Sequence, residues 1–195
     1  MLRSSRAEVR QRLIDSTIRV VARDGLDRAT TKAISCEAGI NEVYIYRLFN
    51  DKEHLFECTY DMLDDEMIAC ITKNLSLIDE TEGLSECEKA WLFFARCWEF
   101  LLGNREKCSY FIKYYYSRFY DGYPTHIRAQ KYESVRSHFS CFLKDSALAA
   151  RLQNHIFDMV FSTVIKVIRG ELPDDDKTAK ELFDFIYNSV AKYFR

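Results

Sequence analysis

TTKAISCEAGINEVYIYRLFNDKEHL, residues 30–55, is the stretch whose caps and breakers decide the fold. Thr30 and Thr31 suit a helix start, because a hydroxyl oxygen accepts a bond from one of the first unpaired amides. The helix they open turns Ala33, Ile34 and Ala38 inward and stops at Gly39, which takes the left-handed C-cap conformation without a Cβ clash. Ile40 fills the turn, and Asn41 is placed to cap a second short helix. At about 100° per residue, Ile45, Leu48 and Phe49 share one side of that helix. Glu42, Val43, Tyr46 and Arg47 fall on the other side, with Tyr44 at the border. Asp51 caps a longer helix opening Lys52-Glu53-His54-Leu55. The reading is a helix-turn-helix whose second helix keeps a polar and aromatic face free.

Upstream, a helix from about Ala7 to Asp24 ends at Gly25, with Ile14, Ile18, Val21 and Ala22 on its apolar face and Leu13 and Val20 flanking it. Three helices then make one headpiece. Within it Thr30, Thr31, Ile34, Ser35, Ala38, Gly39, Ile40, Asn41, Ile45, Tyr46, Phe49, Lys52, Glu53 and Leu55 stand at fixed spacing. In these positions the chain resembles the N-terminal domain of the TetR family of bacterial transcription regulators. The resemblance covers roughly the first third of the sequence. Four positions depart from the commonest family pattern: Asn41 replaces a Ser, Val43 a frequent Gly, Tyr44 a frequent Thr and Asn50 a frequent Pro.

Charge alone does not point to DNA. The formal net charge is −2, and residues 1–55 carry ten Lys and Arg against eight Asp and Glu, with Arg3, Arg6, Arg10 and Arg12 at the amino end, where they are placed to meet phosphates;. Seven cysteines (Cys36, Cys58, Cys70, Cys87, Cys97, Cys108 and Cys141) show no CxxC pair. With no signal-like apolar run before them, reduced and mostly buried thiols in the cytoplasm are the expectation. The apolar stretch around Leu13–Ala22 is interrupted by Asp15 and Arg19, and no stretch of about 18 uncharged apolar residues suits a membrane span. The four histidines share no i, i+4 spacing, and neither a Gly-rich phosphate loop nor a nucleophile elbow occurs. No enzyme, cofactor or metal is expected. His138 and Cys141 are only half of a zinc set, and His138 reads as a surface or partner-facing residue.

The rest of the chain reads as helix throughout. A fourth helix spans about Lys52–Leu75 with Leu55, Met62 and Ile68 among its apolar positions, and residues 79–84 form the clearest loop. From Ala90 to Leu102 only Arg96 and Glu99 are charged, so that helix is expected at the centre of its domain. Helices follow over about 105–120, 125–143 and 147–169, and a last one opens after Pro173-Asp174. Tyr114, Tyr115 and Tyr116 are consecutive and cannot all face one core. An aromatic wall with hydroxyl handles suits a small-molecule pocket. Arg96 either pairs with Glu99 three residues on or faces such a cavity, walled by Trp98, Phe100, Tyr110 and Tyr114 and ready for an acidic effector.

The expectation is an all-α chain: a helix-turn-helix domain over 1–52 and a helical effector-binding and dimerisation domain over 53–195. The resemblance implies a dimeric transcription regulator, commonly a repressor, that releases near-palindromic operator DNA when a small effector binds. Thr31, Asn41, Glu42, Val43, Tyr44, Tyr46, Arg47 and Lys52 are the expected DNA-binding residues. Val160, Val164, Phe183, Ile186 and Val190 are the expected centre of a homodimer interface, because the apolar arc of the 147–169 helix is wide. The alternative is a ligand-binding or scaffolding protein of the same fold without sequence-specific DNA binding.

Overall fold

A computed structural model describes residues 5–194, with the side chains at 122, 125, 127, 128, 141, 142 and 146 left aside. Arg3 and the Cys141 half of the His138–Cys141 pair thus lie outside the described residues. The described part is all-α: α1 (Arg6–Asp24), α2 (Thr31–Ala38), α3 (Val43–Phe49), α4 (Lys52–Asp79), α5 (Glu86–Gly103), α6 (Arg105–Tyr115), α7 (Thr125–Lys131), α8 (Glu133–Phe142), α9 (Ala149–Ile168) and α10 (Asp176–Val190). The chain forms two compact units. The first holds residues up to Asp65 together with Glu106–Tyr123, and the second holds Glu66–Arg105 and Pro124 onward. The expected functional division at residue 52 falls inside the first unit.

Local chemistry fixes most helix ends. Ser5 and Glu8 form a capping box that opens α1, the Glu8 amide donating to Ser5 Oγ at 3.1 Å and the Ser5 amide to Glu8 Oε2 at 2.9 Å;. Ser85 and Glu88 do the same for α5, and Asp175 caps α10 by accepting from the Thr178 amide at 2.8 Å. The helix expected over 125–143 is two helices. Tyr132 interrupts it with φ −88° and ψ 4°, and its ring is buried against Phe157, 5.8 Å between centroids. Turning that ring into the core takes the backbone out of helical register.

In the first unit α1 packs on α2 and α3. Leu13, Ile14, Val20 and Val21 have no exposed surface, so the flank positions of α1 are as covered as its expected face. The unit also holds a contact the helical period does not reveal. From α6, the Lys113 ammonium donates to the carbonyls of Val21 at 3.1 Å and Ala22 at 2.6 Å. These are last-turn carbonyls of α1, where that of Val21 also accepts from the Gly25 amide at 3.0 Å, and a cation there meets the negative end of the helix dipole. Further along α6 the Tyr110 hydroxyl donates to the Phe56 carbonyl at 2.8 Å, and the Tyr60 ring stacks on Phe111 and Tyr114 at 4.8 and 4.7 Å. Lys113→Met should therefore destabilise the unit by about 1.5–3 kcal/mol, the worth of charge-assisted bonds. Denaturant unfolding monitored by tyrosine fluorescence reads it, and an unchanged midpoint would show that water replaces the ammonium freely.

In the second unit α5 packs on α9 and α10. Trp91 and Phe94 meet the Phe183 ring at 5.2 and 5.6 Å, and Phe94 stacks on Trp98. Residues 91–97 of α5 are all half-buried, and Trp98 and Leu101 are buried. On α4 the buried apolar positions are Leu55, Phe56, Tyr60, Leu63, Met67, Ile71, Leu75 and Ile78, whereas Met62 and Ile68 are half-buried. His138 faces Asp79 within the chain, Nδ1 to Oδ2 3.6 Å.

Candidate nucleic-acid interface

The turn between α2 and α3 is set by three local bonds. Thr30 Oγ1 accepts from the Ala33 amide at 3.0 Å. Gly39 adopts φ 61°, ψ 37°, and its amide closes the C-terminus of α2; the left-handed geometry favours glycine. Asn41 Oδ1 accepts from the Val43 amide at 3.0 Å. Arg12, expected at the amino end as a phosphate contact, does something else: its Nη2 donates to the Ala38 carbonyl at 2.6 Å. Arg19 and Arg23 hold Glu37 on the outer side of α2, at 3.0 and 3.2 Å. The Arg10 guanidinium lies 5.2 Å over the Phe49 ring. Several of the arginines of α1 thus fasten the headpiece and position α3.

The packing of α3 is one-sided. Ile45 and Phe49 are buried, while Val43, Tyr44 and Tyr46 are 50%, 40% and 52% exposed. Arg47 is exposed too, its guanidinium 5.8 Å from the Tyr44 ring centre, a stacking distance that restrains a long side chain. Exposed apolar residues are ordinary when single; three large ones on seven residues of helix form a surface for something;. Glu42 is half-buried beside them and Asn41 exposed. Thr31, the first residue of α2, is half-buried.

Lys52 opens α4, half-buried, with Nζ 5.4 Å from the Phe56 ring centre. A cation at a helix N-terminus opposes the dipole unless an anion joins it, and free N-terminal amides are good anion ligands. Between α3 and α4, Asn50 has φ 67° and ψ −50°. Proline fixes φ near −65°, which explains why Asn stands where the family often has Pro. Asn50→Gly should be tolerated, whereas Asn50→Pro should destabilise the headpiece by roughly 1–3 kcal/mol. Thermal melts of both variants measure this, and equal melting points would refute the backbone argument.

The other candidate residues are dispersed. Tyr110 and Tyr114, expected in the effector wall, are buried in the first unit, and burial pushes both hydroxyls well above the ordinary tyrosine range. Tyr114 is buried, Tyr115 half-buried and Tyr116 58% exposed, so the three diverge as helical geometry requires. Arg96 and Phe100, with Glu99, line a groove of about 740 Å³ in the second unit along Cys70, Lys73 and Asn74 of α4; Trp98 is buried beside Phe94. Val164, Phe183, Ile186 and Val190, expected to meet a second copy, are covered inside one chain, at 0%, 4%, 6% and 5% exposure, and Val160 is half-buried. The wide apolar arc of α9 is met largely by α5, α8 and α10. Among the described residues, no group of three His, Cys, Asp or Glu could hold a metal ion, and no helix is long and apolar enough to cross a membrane.

Residues 13–58, which run from the buried face of α1 to the first turns of α4, match the family described as bacterial regulatory proteins, tetR family. In its headpiece the chain carries that family's N-terminal domain. Among curated relatives, the nucleoid occlusion factor SlmA of Sodalis glossinidius is 32% identical over 83 residues, 43% of this chain and 39% of that protein. The nicotine-responsive transcriptional repressor HdnoR of Paenarthrobacter nicotinovorans is 31% identical over 83 residues, 43% of this chain and 41% of that one. The match thus spans about two fifths of the length of these relatives. The fold agrees over far more. A TetR family transcription regulator from Marinobacter aquaeolei VT8 superposes with a TM-score of 0.69 at 18% identity, covering 93% of this chain and 94% of that one. The multidrug binding protein EbrR complexed with imidazole superposes with a TM-score of 0.63 at 19% identity, covering 92% and 94%.

Proposed function

We propose that this chain is a TetR-family DNA-binding transcription regulator, a repressor whose hold on its operator is released by a small molecule. The observation that carries the DNA reading is the exposed surface of α3, where Val43, Tyr44, Tyr46 and Arg47 stand out beside the cation of Lys52. A helix of this kind enters a major groove, with its first turn toward base edges and the flanking residues on phosphates. Thr31, Tyr46 and Lys52 touch phosphates; Asn41, Glu42, Val43, Tyr44 and Arg47 approach the bases. Two headpieces related by a two-fold axis read a near-palindrome, its half-sites about one helical turn apart or somewhat more.

The groove lined by Arg96, Glu99 and Phe100 supports the effector part of the reading, since Lys73 and Arg96 put two cations in it and a guanidinium keeps its charge, which suits an acidic small molecule;. That HdnoR is named as nicotine-responsive and EbrR holds imidazole favours a small-molecule input of some kind. For the homodimer, α9 and α10 remain the proposed contact, through what they still expose. Phe185 on α10 is 68% exposed, and a self-meeting patch is the ordinary way to cover such a group. The deciding experiment is fluorescence anisotropy with the duplex upstream of the protein's own gene against a scrambled duplex. Tight binding to the first, at least about a hundredfold stronger than to the second, supports the reading; equal affinity for both removes it.

A further inference from the structure

Asp51 opens α4 by accepting from the His54 amide at 2.7 Å, which sets His54 in the first turn. His54, Glu57 and Cys58 stand at i, i+3 and i+4 and so share one face of the helix;. The His54 ring joins the other two: its Nδ1 lies 3.4 Å from Glu57 Oε2 and its Nε2 3.6 Å from Cys58 Sγ. His54 is exposed, and Glu57 and Cys58 are half-buried. His54 and Glu57 also line a cavity of about 660 Å³ in the first unit with Tyr114, Arg118, Phe119 and Tyr123. We propose that Cys58 is a modification site, whose thiol adds to an uncharged α,β-unsaturated carbonyl compound with His54 as the base. The chemistry goes beyond the DNA-binding reading and stands without it.

The tautomer follows from the partners. A carboxylate only accepts, so Glu57 takes the Nδ1–H bond, and Nε2 of the neutral ring is left to accept from the thiol. Burial holds the Cys58 thiol above its ordinary range, against the pull of the Arg10 guanidinium. The sulfur is therefore protonated at rest and needs a neighbouring base to become a nucleophile. In the reaction His54 Nε2 takes the S–H proton, and the sulfur electron pair bonds to the β-carbon. The C=C pair moves toward the carbonyl, giving an enolate, and His54 returns the proton to the α-carbon. The thiol has added across the double bond; nothing is oxidised and nothing leaves. Glu57 faces the ring while it carries the extra charge. The cavity selects the class of compound. Its three aromatic rings suit a flat conjugated molecule, the Arg118 guanidinium suits an oxygen gaining charge, and Asp51 and Glu53, also in the lining, disfavour an anion;.

The test uses the reduced full chain and methyl vinyl ketone, with no DNA present, and follows peptide masses over time. Each adduct should carry the whole mass of one probe molecule. Cys58 should react about tenfold faster than the exposed Cys36 and Cys87, which a half-buried thiol does only with a base beside it;. His54→Ala should slow Cys58 by about tenfold or more and leave Cys36 and Cys87 unchanged. His54→Gln, which keeps a polar side chain without a base, should match it. Glu57→Gln keeps an acceptor for Nδ1–H but loses the charge, so its rate at Cys58 should lie between. Cys108 is buried and reports on folding, since it stays unlabelled in every variant that keeps the fold. Cys58 reacting no faster than Cys36 and Cys87, or at the parent rate in both His54 variants, overturns the proposal.

Discussion

Val164→Asp should unfold the second unit, whereas Phe185→Asp should leave it folded and alter only assembly. Val164 has no exposed surface, and Phe185 is 68% exposed. Removing a buried valine forfeits about 1.5–3 kcal/mol of burial. An uncompensated carboxylate in the same place adds several more, or must be protonated at a similar cost. The total exceeds about 4 kcal/mol, which in a chain of this size lowers the melting temperature by roughly 8–16 °C or more. Ile186→Asp should behave in the same way. Phe185→Asp removes little packing within the chain, so its melt should lie within about 0.5 kcal/mol of the parent;. If a second copy covers Phe185, light scattering at micromolar concentration should change from dimer to monomer. A folded, monomeric Val164→Asp protein would return that residue to the interface, and a dimeric Phe185→Asp protein would move the proposed contact elsewhere.

This contrast shows what periodicity carries. The spacing of apolar residues along α9 and α10 says that Val164, Phe183, Ile186 and Val190 are covered, but the same pattern arises whether the cover comes from this chain or another. Caps are different, because their chemistry is complete within four residues. Thr30, Gly39, Asn41 and Asp51 each act where the sequence places them, the last by accepting from the His54 amide at 2.7 Å. Lys113 bonds to carbonyls more than ninety residues earlier, and nothing local to Lys113 separates it from a solvated lysine. Arg12 misleads for a related reason: a guanidinium near an amino terminus looks like a phosphate ligand, yet the Ala38 carbonyl at the end of α2 claims it. The candidate DNA surface was legible because exposed aromatic residues on a capped short helix are anomalous by themselves. The tyrosines were not, since an aromatic run gives the same sequence signal in a core as in a pocket.

Arg47→Ala and Lys52→Ala should both weaken DNA binding, in ways that tell reading from anchoring. Neither substitution removes core packing: Arg47 is exposed and Lys52 half-buried, so the fold should survive both. Lys52 stands at the N-terminus of α4, where a phosphate would meet its ammonium and the free amides together. Losing the ammonium should lower affinity for operator and unrelated duplex alike, and reduce the slope of log K against log salt by about 1. Arg47 is poised by the Tyr44 ring on the exposed face of α3. If it reaches a guanine, its loss should cost about 1–3 kcal/mol at the operator, roughly a 5- to 150-fold weakening, with little change on unrelated sequence. Tyr44→Ala, which frees the guanidinium but keeps it, should fall between parent and Arg47→Ala. Anisotropy titrations at three or more salt concentrations separate these patterns. Unchanged operator affinity in both Arg47→Ala and Lys52→Ala would mean that α3 does not lie in the groove, whatever else the headpiece does with DNA.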